Sequence, residues 1–196
     1  MVLLRTDSVE LSHQQMPDDE ETQLPTLALE DGDPELVPYQ PGSILKSIGT
    51  LEPGIQKHYY SDGNFNLMRL VFHLLKQTGP ADILMTTYSI SQSTLEAVIQ
   101  RLNTGLIRNI RFLIDNRVKV MSPKPFQYLK ENFSFRCISL HAKVALIGNE
   151  NWKVTIVTSQ NATDNPKLER GIIFTDIRVY NYDLTILEDA FKRGTD

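Results

Sequence analysis

From about position 44 onward the chain alternates helix and strand signals, then places four strand signals side by side. Residues 65–77 (FNLMRLVFHLLKQ) are densely apolar with Asn64 available as a cap, which predicts a mostly buried helix. Residues 83–88 predict a buried strand, and Ser93 with Glu96 forms a capping-box pattern for a helix through Asn103, stopped at Gly105. Residues 110–114 predict a second strand, and Ser122-Pro123 opens a helix to about Asn132. Strand candidates follow at 134–138, 140–147, 153–158 and 169–175, and residues 178–193 close the chain as a helix. No internal repeat is visible. This order predicts an α/β fold, a mixed β-sheet flanked by helices on both faces.

The 196 residues suit one domain with an appendage, and 41% hydrophobic residues supply a core. No apolar run approaches the roughly 20 residues needed to cross a bilayer, so no membrane partner is expected. The start, MVLLRTDSVE, has neither a long apolar segment nor a cleavage-like site. With a single cysteine, Cys137, the chain can form no internal disulfide and suits a reducing compartment; a cytoplasmic location is expected. Cys137 falls in a strand signal and reads as a small core residue. Cysteine and histidine are too few and scattered for a zinc site, and no cofactor is expected.

The net charge of −4 hides a split. Residues 1–36 carry ten acids against one base, Arg5, for −9, while the remainder carries 14 acids against 19 bases, for +5. Residues 1–40, interrupted by Pro17, Pro25, Pro34 and Pro38, read as an acidic arm, disordered or draped over a domain spanning 41–196. A mildly basic body suits a polyanion, and the arm suits a competitor for that surface or a docking tail for a protein partner.

The chemistry concentrates in residues 141–161, HAKVALIGNENWKVTIVTSQN. If residues 140–147 are a strand, His141 and Lys143 share a face. A turn-prone Gly148-Asn149-Glu150-Asn151 leads to the next strand, whose end carries Ser159 and Asn161. An imidazole, an ammonium, a hydroxyl and a carboxamide together suit a phosphate group. Taken singly, each is an ordinary strand or turn residue; the combined spacing gives them weight.

That spacing resembles the phospholipase D superfamily motif, His-x-Lys-x4-Asp followed by Gly-Ser-x-Asn. Two positions depart from it: Gly148 stands at the family's Asp, and Thr158 at the Gly before Ser159. Glu169, eight residues beyond Asn161, matches an acidic position that often supports the histidine. The resemblance covers roughly residues 60–195 and implies a phospholipase D-like domain. It further implies phosphodiester cleavage through a phosphohistidine, without metal, by two histidines. His13, His58 and His73 each lack a lysine two residues later, so the second His-x-Lys must come from another copy of the chain, a two-fold homodimer. The single-motif members of the family are small nucleases and restriction-type endonucleases.

The resemblance then assigns His141 as nucleophile in one subunit and general acid in the other. Lys143 and Asn161 hold the nonbridging oxygens, Ser159 supports them, and Glu169 orients the imidazole. Nucleic acid is the expected substrate, tracked by Arg101, Arg108, Arg111, Arg117, Lys119 and Lys124. Tyr59, Tyr60 and Tyr88 are candidates to stack bases, against an ordinary packing role. Gly148 favours a rival, a catalytically silent module of the same fold that binds nucleic acid or a protein.

Overall fold

Eight strands, β1 (Glu35–Leu36), β2 (Gln56–Asp62), β3 (Ala81–Thr87), β4 (Ile107–Asp115), β5 (Ser134–Ile138), β6 (Val144–Gly148), β7 (Lys153–Thr158) and β8 (Leu168–Phe174), join in one sheet. Their order is β1-β2-β8-β7-β6-β3-β4-β5. The helices are α1 (Ile44–Ile48), α2 (Leu67–Thr78), α3 (Gln92–Asn103), α4 (Val118–Met121), α5 (Pro123–Asn132) and α6 (Ile177–Arg193). This computed structural model describes residues 44–196 and the backbone of Glu35 and Leu36. The rest of the acidic arm lies outside the described residues.

β3, β4 and β5 run parallel through helical crossovers, whereas β6 joins β3 antiparallel and β6, β7 and β8 form an antiparallel series. β2 continues that side antiparallel to β8, and the two-residue β1 pairs parallel to β2 at the edge. The directions bring the C-terminal ends of β3, β4, β5 and β7 to one edge of the sheet, with the N-terminal ends of β6 and β8. Both faces are covered. One carries α1, α2, α3 and α5, with Leu70, Leu74 and Leu75 packed among Ile83, Met85, Phe112, Ile147 and Ile156. The other carries α6, whose Tyr180, Leu187 and Ala190 meet Leu84, Leu113, Val144 and Leu146. Alternation along β3 sends Ile83 and Met85 to the first layer and Leu84 to the second. Each fully buried large side chain contributes about 1.5–3 kcal/mol.

The sequence expectations hold for the main elements and shift at their ends. Asn66, not Asn64, caps α2, accepting from Arg69 N at 2.9 Å. Ser91 caps α3 through Thr94 N, whereas Glu96 accepts from the Gln92 side chain and closes no capping box. Pro123 sits at the start of α5, but Ser122 makes no side-chain cap bond. β2 has no counterpart in the expected strands. The strand expected at 140–147 begins only at Val144, because side chains take over its first backbone groups. Asp115 Oδ2 accepts from Leu140 N at 3.1 Å; Thr86 Oγ1 donates to Ala142 O and accepts from Val144 N, both at 2.9 Å. His141 and Lys143 therefore lie on the segment entering β6, not within the strand.

Candidate active site

All five residues expected at the site fall at the same sheet edge. Lys143 and His141 precede β6, Ser159 and Asn161 follow β7, and Glu169 lies near the start of β8. Thr158 N donates to Lys143 O at 3.0 Å, which stitches the two motif segments together.

Lys143 is 7% exposed, while His141 is open to solvent. The Lys143 ammonium lies 3.2 Å and 3.3 Å from the two ring nitrogens of His141 and donates to the His141 carbonyl at 2.7 Å. Burial pushes the Lys143 pKa below that of a free lysine, with Glu169 and Asp115 opposing the shift. A cation beside an exposed imidazole is an arrangement that attracts an anion to both.

Asn161 Oδ1 accepts from Tyr88 N at 3.2 Å and its carbonyl accepts from Leu67 N at 3.1 Å. The backbone donor fixes the oxygen of the amide, and among the described residues the amide nitrogen has no hydrogen-bond partner, so it is left for a ligand oxygen. Ser159 Oγ donates to Glu169 Oε2 and accepts from Arg170 N at 3.0 Å. Asn165 Nδ2 donates to Glu169 Oε1 at 2.7 Å. Within one chain the Glu169 carboxylate is thus engaged by Ser159 and Asn165. Between them, Gln160 turns inward and donates to Phe65 O at 2.5 Å, accepting from the Tyr59 hydroxyl at 2.9 Å. The alternation of outward Ser159, inward Gln160 and half-buried Asn161 aims the motif side chains.

Position 148 is filled from across the layer. A Cβ on Gly148 would overlap the Tyr180 hydroxyl, so an aspartate has no room there. The neighbouring Asn149 ties the β6–β7 turn down instead. Its amide nitrogen donates to Thr78 O at 2.9 Å and Pro80 O at 3.2 Å, and its Oδ1 accepts from Asn151 N and Trp152 N.

Three residues outside the motif also enter the site: Tyr88 and Arg117, expected from the sequence only as general nucleic-acid contacts, and Asp115, which was not expected. Tyr88, just past β3, places its ring 5.3 Å from the His141 ring and 5.5 Å from Lys143 Nζ. The Arg117 guanidinium lies 4.4 Å from the Tyr88 ring centroid. Asp115, the last residue of β4, is 2% exposed and accepts from Arg117 N and Nε at 3.0 and 2.9 Å. Burial raises its pKa, but the bonds from Arg117 and Leu140 outweigh it and hold the carboxyl below its usual range. A signal existed: ligands of α/β sheets gather beyond the C-terminal ends of parallel strands, where Tyr88 and Asp115 sit.

The other expected base contacts disperse. Tyr59 is a core residue and Tyr60 an exposed one on β2. Arg108 pairs with Glu150, Arg111 with Glu188, and Lys119 reaches the Asp196 carbonyl, so three of the six bases are engaged within the chain. Cys137 is buried, and burial pushes its thiol pKa up, away from reactivity. His58 lies in β2 against Gln56 and Arg170, and His73 in α2 near Gln77. No described helix is long and apolar enough to cross a membrane.

No protein-family model and no curated protein matches the sequence. Solved structures do match the fold. Nuc from Salmonella typhimurium, a phospholipase D family member, aligns over 72% of this chain and 96% of its own at a TM-score of 0.52 and 17% identity. NucT from Helicobacter pylori aligns over 71% of this chain and 97% of its own at 0.51 and 14% identity. Polyphosphate kinase from Porphyromonas gingivalis aligns over 72% of this chain but 26% of its own, at 0.50 and 12% identity.

Proposed function

The chain has a phospholipase D-like α/β fold, and we propose that it is a metal-independent phosphodiesterase acting on nucleic acid through a phosphohistidine, with the active site completed by a second copy. The observation that supports this reading most is the pairing of exposed His141 with the buried Lys143 ammonium beside Ser159 and Asn161. Those groups match a phosphate in charge and hydrogen-bonding capacity.

An imidazole nitrogen of His141 attacks phosphorus, and the bond to the leaving oxygen breaks as His141 of the partner subunit gives that oxygen its proton. Water then attacks the phosphohistidine and passes its proton back to the partner's His141, which frees the first imidazole and a phosphomonoester. Lys143 and the Asn161 amide nitrogen hold the nonbridging oxygens, and Ser159 supports them once its hydroxyl proton, given to Glu169 in the single chain, turns to the ligand. Splitting one displacement into two lets a neutral imidazole act where a free hydroxide would otherwise be needed. In the assembled site Glu169 also steadies the imidazolium.

The silent-module reading draws on Gly148 and the Tyr180 hydroxyl above it. Hydrolysis of bis(p-nitrophenyl) phosphate and of an oligonucleotide, with EDTA present, separates the two. Activity in the unsubstituted chain that disappears in His141→Ala supports the enzyme; equal background in both leaves only a binding protein. Solution mass tests the dimer. The acidic arm, in the same reading, competes with nucleic acid or docks a protein. Removing residues 1–36 then raises oligonucleotide affinity at low salt, and the gain shrinks as salt rises.

A further inference from the structure

Asp115 binds two separate segments with one buried carboxylate. Oδ1 accepts from both Arg117 N and Arg117 Nε, and Oδ2 accepts from Leu140 N, immediately before His141. The same carboxylate therefore sets the position of the Arg117 guanidinium and of the chain entering the His141–Lys143 pair. Between these two stands Tyr88, whose ring meets the guanidinium at 4.4 Å and the imidazole at 5.3 Å. Its backbone is fixed in turn by Asn161 Oδ1. Arg117 thus sits one aromatic ring away from the imidazole, with no freedom in its Nε edge.

Its other edge is open. The side chain is 62% exposed, and among the described residues the two terminal nitrogens make no hydrogen bond. Arg108 and Arg111 differ, since each spends both terminal nitrogens on a glutamate. A guanidinium anchored through Nε presents its terminal nitrogens as a planar fork, the geometry that grips two oxygens of one phosphate. An ordinary surface ion pair gains about 0–1 kcal/mol and pins neither partner. Here the acid is inside the protein, so the fork is preorganised.

We infer that Arg117, held by Asp115 against Tyr88, is a subsite for a second phosphate next to the one bound at His141 and Lys143. This rests on the phosphodiesterase reading and makes it narrower. The ligand is a polynucleotide, recognised by consecutive phosphates of one strand, with the intervening sugar or base lying against the Tyr88 ring. A lipid or other substrate with one phosphodiester has nothing to place at Arg117.

The test uses the full chain carrying His141→Asn, so that ligands are not consumed. A fluorescein-labelled single-stranded oligonucleotide is displaced by a dinucleoside monophosphate, with one phosphate, and by a trinucleoside diphosphate, with two. The expected result is tighter binding of the two-phosphate competitor, and a roughly tenfold narrowing of that gap in Arg117→Gln, as befits one lost charge-assisted bond. Arg117→Lys should recover part of it, and the slope of log affinity against log salt should fall by about 0.7 for the oligonucleotide in Arg117→Gln. An unchanged gap in Arg117→Gln, no gap at all, or no binding of the labelled oligonucleotide overturns the subsite. Absence of cleavage by the unsubstituted chain, measured separately, bears only on the catalytic reading.

Discussion

The Tyr180 hydroxyl occupies the volume that a side chain at Gly148 would need. Tyr180 comes from α6, on the opposite layer from α2, and Lys153 Nζ lies 5.7 Å from its ring. The glycine is thus part of the α6 packing, and placing an aspartate there would be a steric change before an electrostatic one. Gly148→Asp should cost about 1–3 kcal/mol, read as a lower urea midpoint, because the phenol or the strand must shift. Tyr180→Ala should be destabilising alone, yet should offset part of the Gly148→Asp loss in the double variant. Strict additivity of the two would show that the phenol and position 148 are independent.

Asp183 gives a separate handle on stability, away from the motif. It lies half-buried on α6, and burial alone pushes its carboxyl up to about 6 from the usual 3.8. The folded state therefore holds this proton more tightly than the unfolded state does. Stability attributable to Asp183 is present below about pH 4 and is lost as pH rises through 6. Asp183→Asn should raise stability at pH 7 by about 1 kcal/mol, after allowance for partial exposure, and flatten the dependence between pH 4 and 6. Thermal unfolding across that range checks it, and equal gains at pH 4 and pH 7 would refute it.

In the proposed reaction Lys143 sets a functional limit at alkaline pH. Its ammonium is the form that would hold phosphate oxygens, and burial makes that form less favourable than in a free lysine at 10.5. Hydrolysis of a chromogenic phosphodiester should fall along a limb centred below 10.5, and Lys143→Arg should move that limb upward while lowering the rate. The stability contribution has the opposite sign. A base with a lowered folded pKa leaves the folded state with fewer protons, so stability rises with pH through the same window. Activity lost while the folded fraction is constant would identify the limb as loss of charge.

What the sequence made legible depended on whether meaning lay along the chain or across it. The apolar run in α2 repeats at Leu67, Leu70, Val71, Leu74 and Leu75, so its helical period shows without tertiary context. His141, Lys143, Ser159 and Asn161 show by spacing, because β6 and β7 are consecutive antiparallel neighbours. β2 was hidden since two of its inward positions are polar: Lys57 donates to Ile48 O at 3.0 Å and Ser61 to Phe65 O at 3.3 Å. An alternating strand with lysine and serine inside has no apolar pattern to read. Asp115, and the placement of Tyr88 and Arg117 beside His141, were hidden for another reason. These residues belong to β3, β4 and the turn beyond, and only the strand order β6-β3-β4 brings those ends to His141.

Tyr59 links that buried side of β2 to the motif. Its hydroxyl, inside the core, donates to Gln160 Oε1 at 2.9 Å and lies 3.3 Å from Thr158 Oγ1, and Gln160 separates Ser159 from Asn161. Gly171 leaves the space that the Tyr59 ring fills. Tyr59→Phe removes the donor while keeping the ring, so the packing cost is small and the Gln160 carbonyl loses its better partner. Stability should fall by about 1–2 kcal/mol. If Gln160 sets the aim of its two neighbours, kcat should fall further than KM rises. Val154→Ala, a core change in β7 that touches none of these hydrogen bonds, serves as the control by lowering stability without that kinetic signature. A matching drop in kcat from both variants would mean that the site answers to general loosening of the sheet, and that the Tyr59–Gln160 bond has no special hold on Ser159 and Asn161.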